Sequence, residues 1–288
     1  MNYHLIVGYG KWAKKNLLYL KNKRFFKSII VKTRKNFINL PINSVLEKKE
    51  LPEMLNKINS VHICTPLKYH FSHLKQFNSY KKIIIEKPFL NDINQLTAIK
   101  KIYKKKYLLV NYTDTFNPLI KRIEKSCKSR DVSKIVLNYS DNTRYYKNKN
   151  EWAIEWLDHP LSLILLLFKK FPNFVINKNR YFKKNEQFKQ KITLNYDFDK
   201  FNVEIRFNHS SNKERNFQLH KNKFIETFNF INNSYSINEK KILKSKKSSF
   251  DNLYNFLRFK KKNDIQNFEF HKKIILQRKK ILRKLKAY

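Results

Sequence analysis

The apolar and polar positions of the chain fall into two textures. His4-Leu5-Ile6-Val7 is a short apolar run of the kind a buried strand shows, and Lys11 to Leu20 (KWAKKNLLYL) has helical spacing, with Trp12, Ala13, Leu17 and Leu20 on one side. Further strands are expected at Phe25 to Val31, Val61 to Cys64, Lys82 to Ile85 and Tyr107 to Val110. Helices are expected at Phe71 to Phe77 and Asn91 to Lys105, the second capped by Asn91. Strands alternating with helices at this interval predict βαβ units and a parallel sheet. From about residue 132 the texture changes. Lys134 to Ser140, Lys191 to Phe198, Phe201 to His209, Asn216 to His220 and Phe224 to Phe230 alternate apolar with polar residues. Period-two alternation predicts a mostly antiparallel sheet with one face buried, and Asp197 to Lys200 is a hairpin corner made without glycine. Phe250 to Phe259 and Phe268 to Leu285 read as terminal helices, and there are no internal repeats.

Composition narrows the classes. A chain of 288 residues with 41% hydrophobic and 15% aromatic residues can bury a sizeable core. Two cysteines, Cys64 and Cys127, are too few for a disulfide framework or a four-ligand zinc site. The most apolar stretch, Leu161 to Phe168, is far short of the roughly 20 residues that span a bilayer, and no signal peptide precedes the first strand. A cytoplasmic protein without membrane association is expected. Lys and Arg number 63 against 22 Asp and Glu, a net charge of +41. That charge alone points to nucleic acid or an anionic surface. Its even spread, with abundant Lys, Asn, Ile, Phe and Tyr, fits compositional drift better. No arginine cluster, aromatic platform or known nucleic-acid module accompanies it, so no specific nucleic-acid partner is expected.

Glycine is the most informative residue because it is so rare. Gly8 and Gly10 are the only two, and both lie in Val7-Gly8-Tyr9-Gly10-Lys11-Trp12-Ala13, between the first strand and the first helix. Strand, G-x-G-x-x-A, helix is the dinucleotide-binding fingerprint in its required context. The first glycine permits the tight turn, the second lets backbone approach a pyrophosphate at the helix N-terminus, and the third position needs only a small residue, here Ala13. The first domain is therefore expected to be an α/β Rossmann domain over residues 1–115. An α+β domain with a mostly antiparallel open sheet and C-terminal helices follows over 116–288. Ligands gather at the carboxyl ends of such strands, where Gly8, Thr33, Thr65, Lys87 and Asn111 fall. NAD-selective fingerprints place a carboxylate about 20 residues on, at the end of the second strand, to bind the ribose hydroxyls. Here that place reads Lys32-Thr33-Arg34-Lys35, a hydroxyl among cations, which favours NADP over NAD.

The ordered set GYGKWA, ICTPLKYH, IEKPF, VNYTDTFNP and EWLDHPLSL resembles the glucose–fructose oxidoreductase/inositol dehydrogenase (Gfo/Idh/MocA) family. The resemblance runs essentially the full length. It implies an NAD(P)-dependent oxidoreductase that moves hydride to or from a hydroxyl-bearing carbon of a sugar, cyclitol or nucleotide sugar. It places Gly8, Tyr9, Gly10, Lys11, Trp12, Ala13, Thr33, Arg34, Cys64, Thr65, Pro66, His70, Glu86 and Lys87 around the cofactor. It also puts Lys87 beside nicotinamide and substrate, with a cis peptide before Pro88 as family members often have. A lysine at a strand end, partly desolvated, can share protons with an alcohol. The family's carboxylate and a histidine four residues later correspond to Glu155 and His159, which share one face of a helix. His159 is then the proton acceptor, assisted by Lys87, with Glu155 holding sugar or imidazole. The segment departs from the pattern: Glu155 replaces aspartate, Asp158 offers a second carboxylate, and Pro160 follows His159 directly. His70 either organises its loop or touches ligand. His62, His73, His209, His220 and His271 have no partner at metal-ligand spacing, so no metal is expected. The resemblance implies a homodimer or homotetramer, and strand faces rich in Phe and Tyr agree with it. Two alternatives stand beside this reading: an inactive relative that senses cofactor or acts as a scaffold, and a basic protein that binds nucleic acid or an anionic surface.

Overall fold

The computed structural model describes residues 3–23, 28–32, 44–46, 57–101, 107–140, 151–184, 187–208, 212–258 and 267–286. They form two compact units. The first takes Met1–Asn111 with Leu253–Ile275, the second Tyr112–Asn252 with Leu276–Tyr288. The chain passes between units at 111/112 rather than 115/116, and a C-terminal stretch rejoins the first unit. The reason is local: Leu253 and Tyr254 are buried, and the Tyr254 hydroxyl bonds side chains of the first unit's helix and sheet.

The first unit is built on six parallel strands, β1 (Tyr3–Val7), β2 (Ser28–Lys32), β3 (Ser44–Leu46), β4 (Ile58–Ile63), β5 (Lys82–Glu86) and β6 (Tyr107–Asn111), in the order β3-β2-β1-β4-β5-β6. Helices α1 (Lys11–Lys23), α2 (His70–Gln76) and α3 (Ile93–Ala98) fall between them. Ile83, Ile84 and Ile85 are consecutive and all fully buried, which only a sheet covered on both faces allows. Each contributes about 1.5–3 kcal/mol relative to exposure. The strand order reverses at β1, so β1 and β4 are neighbours although β2 follows β1 in sequence. The carboxyl end of that pair is the switch point where α/β sheets bind ligands. The cap of α3 lies one residue later than expected: Asp92, not Asn91, caps it, its carboxylate accepting from the Gln95 amide at 3.0 Å.

The second unit carries an eight-stranded sheet. Its strands are β7 (Val132–Ser140), β8 (Phe174–Lys184), β9 (Gln187–Phe198), β10 (Phe201–Asn208), β11 (Glu214–Lys221), β12 (Ile225–Asn229), β13 (Ser234–Ile237) and β14 (Lys240–Lys244), ordered β14-β13-β12-β11-β7-β10-β9-β8. β7 and β10 pair in parallel, and every other pair is antiparallel. The expected β9–β10 corner is a two-residue turn, Phe198 facing Phe201 across it. Turns that glycine usually makes are made here by Asn233, Asn238 and Glu239 at positive φ, and Lys169 ends a helix in the same conformation. The unit's helices are α4 (Ile120–Cys127), α5 (Glu151–Trp156) and α6 (Asp158–Phe168). Two more, α7 (Ser249–Arg258) and α8 (Phe268–Lys286), close the chain. Tyr139, Tyr196, Phe207, Phe217 and Phe228 are fully buried, while Asn202 is exposed and Glu204, Arg206 and Gln218 are half-buried between them. These aromatic positions are core, so they give no support to an oligomeric surface.

Candidate functional site

In the first unit the glycine turn sits at the switch point. Gly8 has φ +99°, and a Cβ there would lie 3.0 Å from the Cys64 carbonyl oxygen and 3.1 Å from Thr65 Cγ2. Its carbonyl neighbour is fixed as well, since the Cys64 amide donates to the Val7 carbonyl at 2.8 Å. Gly8 is thus demanded by the fold. Gly10 is different: its φ is not positive, and a Cβ there would meet no described atom within 4 Å. Among the described residues no packing contact explains a glycine at that point, and the open space there fits the close approach of a dinucleotide's pyrophosphate. α1 begins at Lys11 with its first bond from the Lys14 amide to the Gly10 carbonyl, which leaves its leading N–H groups for an anion. Ala13 is fully buried against the sheet, the small-residue requirement met. Tyr9 and Trp12 are half-buried, under Lys14 and Lys15 at 5.2 and 4.8 Å from their ring centroids, and Lys11 is exposed. The residues present fit a dinucleotide. Thr33 and Arg34, read as the 2′-phosphate selector, lie outside the described residues.

The loops after β4 and β5 are joined by one side chain. His70 is buried and its two ring nitrogens face three carbonyls, Nε2 to Thr65 at 2.7 Å and Nδ1 to Pro88 and Phe89 at 2.9 and 3.1 Å. Burial pulls its pKa down, while those carbonyls and Glu86 pull the other way. The side chain is occupied in tying the Thr65-Pro66 turn to the loop that carries Lys87. Lys87 is half-buried and the Lys87–Pro88 peptide is cis. Thr65 Oγ1 is 2.9 Å from His73 Nδ1, and Pro66 is exposed.

Glu86 turns inward. Its Oε1 is 2.9 Å from His62 Nε2, accepts from Asn111 Nδ2 at 2.9 Å and from Asn16 Nδ2 at 3.4 Å. His62 Nδ1 is 2.9 Å from the Tyr254 hydroxyl, which donates to Asn16 Oδ1 at 2.8 Å. Asn16, His62, Glu86 and Tyr254 therefore close a buried ring of hydrogen bonds beneath the glycine turn. Sequence spacing gave His62 no metal-ligand partner. The fold brings the ligand atoms of His62, Cys64 and Glu86 within 4.8 Å of one another. Oε1 of Glu86 already meets three nitrogens, so the cluster also works as a positioning network. Burial, then the charge of Glu86, push the Cys64 thiol well above its ordinary range, so it stays protonated.

The second unit holds a separate cluster around His159. α5 and α6 are interrupted at Leu157 because Pro160 has no N–H to give the Trp156 carbonyl; Pro160 itself sits in the first turn of α6, where that loss is cheapest. Glu155 and His159 therefore belong to successive helices rather than one, with Glu155 half-buried. The carboxylate set against His159 is Asp114, from the 3-10 turn Thr113–Phe116, with Oδ2 3.6 Å from Nδ1. Arg215 on β11 reaches both: Nη1 donates to Asp114 Oδ1 at 3.1 Å, and Nη2 to His159 Nε2 at 3.2 Å. The guanidinium lies 5.6 Å from the Trp156 ring, and the His159 ring stacks on Tyr139 at 6.1 Å. Burial, then the Asp114 carboxylate, push the Tyr139 phenol well up, so it donates to Asp114 Oδ2 at 2.8 Å. Asp158, the other candidate carboxylate, accepts from Arg278 Nη1 through both oxygens at 2.7 Å with both side chains buried. It is a structural ion pair. Asp114 was readable in the quoted VNYTDTFNP segment; Arg215 carries no local signal at all.

Comparisons with known proteins agree with the fold. Residues 3–113 match the family described as "Oxidoreductase family, NAD-binding Rossmann fold". No curated protein matches the chain. Among solved structures, biliverdin reductase from Synechocystis sp., solved with biliverdin and NADP+, superposes with a TM-score of 0.71 at 14% identity, covering 99% of each chain. A UDP-N-acetylglucosamine 3-dehydrogenase from Acidithiobacillus ferrooxidans gives 0.72 at 11% identity, covering 96% of this chain and 95% of that one. A Gfo/Idh/MocA family oxidoreductase from Vibrio cholerae gives 0.71 at 12% identity over 99% and 100%. At such identities the likeness is one of fold. No helix among the described residues is long and apolar enough to cross a membrane.

Proposed function

With residues 3–113 belonging to the Gfo/Idh/MocA oxidoreductase family, whose fold is NAD-binding, we propose that this chain is an NAD(P)-dependent oxidoreductase acting on a hydroxyl-bearing carbon of a sugar, cyclitol or nucleotide sugar. The observation that carries the reading is the contrast between the two glycines: Gly8 answers to the fold, Gly10 to a ligand. The Gly8-to-Ala13 turn and the N-terminus of α1 hold the pyrophosphate through backbone N–H groups. Thr33 and Arg34, with no carboxylate among their neighbours, favour the 2′-phosphate of NADP. When bound, the nicotinamide supplies the hydride chemistry, and the protein's part is placement and proton transfer. Lys87, held by the His70-pinned loop, orients the substrate hydroxyl and shares its proton. In the second unit His159, set between Asp114 and Arg215, is the proton acceptor, and Glu155 on the preceding helix binds the sugar.

The test is turnover. The purified protein is incubated with NADP+ or NAD+ and a panel of sugars, cyclitols and nucleotide sugars, following reduced nicotinamide by absorbance. For a substrate that reacts, Lys87→Ala and His159→Ala should each cost about 10²–10⁴ in kcat/KM. Full activity in both variants would remove these side chains from the reaction.

A further inference from the structure

Arg215 belongs to this site although no motif or spacing along the chain points to it. A guanidinium has five N–H donors and no acceptor, so whatever nitrogen it contacts must accept. Its Nη2 lies 3.2 Å from His159 Nε2, a contact that is a hydrogen bond when Nε2 carries a lone pair and no proton. The proton of a neutral ring is then on Nδ1, which faces Asp114 Oδ2 at 3.6 Å, an electrostatic contact longer than a hydrogen bond. The groups that face the ring from the neighbouring elements are Asp114 on the 3-10 turn, Tyr139 on β7 and Arg215 on β11, with Trp156 uncharged. Tyr139 is engaged as a donor to Asp114, and Asp158 on the ring's own helix is neutralised by Arg278. Among the described residues, the charges set against the ring's two nitrogens are one anion and one cation. All three partners are buried, at 1% exposure for Asp114 and His159 and 8% for Arg215, so water screens them little.

We propose that Arg215 is the positioning residue of the acid–base group: it keeps His159 neutral, as the Nδ1–H tautomer, and so makes it a proton acceptor rather than a donor. This rests on the reading of His159 given above. Asp114 alone would draw a second proton onto the ring and leave an imidazolium, which can only donate. Arg215 opposes that with a positive charge on the nitrogen that would take the proton. A substrate hydroxyl that displaces Nη2 then meets a lone pair. At neutral pH the ring is thereby in the form that withdraws a proton from an alcohol, and the imidazolium so formed returns the proton in the reverse reaction.

The test reads the ring itself. The full-length protein is labelled with 15N-histidine, and the His159 imidazole nitrogens, assigned by their loss in His159→Gln, are followed by NMR from pH 5 to 9. The wild type should show a protonated Nδ1 and an unprotonated Nε2 at pH 7. In Arg215→Met the ring should take its second proton at a pH about 1 unit or more higher than in the wild type. Arg215→Lys, which restores a charge without the fork, should return part of that shift. If Arg215→Met does not fold, Asp114→Asn/Arg215→Met removes both charges together, and the wild-type tautomer still decides. A proton on Nε2 in the wild type, or the same titration in wild type and Arg215→Met, would overturn the proposal. The predicted tautomer in a protein with no affinity for nicotinamide nucleotides would uphold the pairing and overturn instead the enzymatic reading.

Discussion

Substituting each of the two glycines with alanine separates what the fold requires from what a ligand requires. At Gly8 a side chain is forced into positive φ, which costs about 1–2 kcal/mol. Its Cβ also presses on the Cys64 backbone at 3.0–3.2 Å, and that backbone is bonded to Val7, so it yields little. Overpacking of this kind adds about 1–3 kcal/mol. Gly8→Ala should therefore lose about 2–5 kcal/mol, a large part of the roughly 5–15 kcal/mol that stabilises an ordinary domain. Gly10→Ala should lose nothing. It adds no contact within 4 Å and demands no positive φ, so fewer unfolded conformations should make it about 0.4–1 kcal/mol more stable. The same methyl stands where backbone must approach a pyrophosphate and should weaken nicotinamide nucleotide binding at least tenfold, roughly 1.4 kcal/mol. Urea unfolding followed by circular dichroism gives the first quantity, and nucleotide titration of the folded variant the second. A Gly10→Ala protein that binds as well as the wild type would refute the argument that Gly10 is there for a ligand. A Gly8→Ala protein of wild-type stability would refute the turn geometry itself.

Two other outcomes follow from buried charges. Asp158→Asn should cost about 3–5 kcal/mol in unfolding experiments because it leaves Arg278 buried without its partner, whereas Asp158→Leu with Arg278→Met should recover most of that loss; equal costs for the single and double variants would contradict a structural pair. His4, buried against Ser60 and near His62, has its pKa held well below 6.5 by burial and then by the charge of His62, and His70 is lowered in the same direction by burial. Below pH 6.5 the unfolded chain binds protons that the folded one refuses, so stability falls as pH falls from 6.5 toward the folded values, by about 1.4 kcal/mol per pH unit for each histidine. Unfolding midpoints measured from pH 8 to 5 should be flat above 7 and fall below it, and a His4→Asn variant should fall less steeply; equal slopes would exclude His4 as a cause.

The first unit was readable because its signals are local. Rarity made the glycine turn conspicuous, the buried strands are continuous apolar runs, and Lys87, Pro88 and His70 sit in short motifs whose neighbours in sequence are neighbours in space. The second unit was readable only as a sheet. Three of its strands escaped notice, in part because Asn238 and Glu239 make the β13–β14 turn that glycine usually marks. Its chemistry was hidden by distance along the chain. Arg215 reaches Asp114 across 101 residues because β11 pairs with β7 in a register that sets Arg215 opposite Tyr139. Likewise Tyr254 meets His62 across 192 residues, which moves the C-terminal segment into the first unit. Period-two alternation does not encode register between distant strands. Nor does it separate an aromatic face that is core from one that is exposed, and here Tyr139, Tyr196, Phe207, Phe217 and Phe228 are core.

The central claim is that this chain binds a nicotinamide dinucleotide at the Gly8–Ala13 turn. Isothermal titration of the folded protein with NADPH, and separately with NADH, tests it before any substrate is known. The account predicts saturable one-to-one binding that Gly10→Ala weakens, tighter for NADPH, and a rise in unfolding free energy of about 2.7 kcal/mol at a hundred times Kd. No heat and no stabilisation with either nucleotide, in a folded sample, would contradict it.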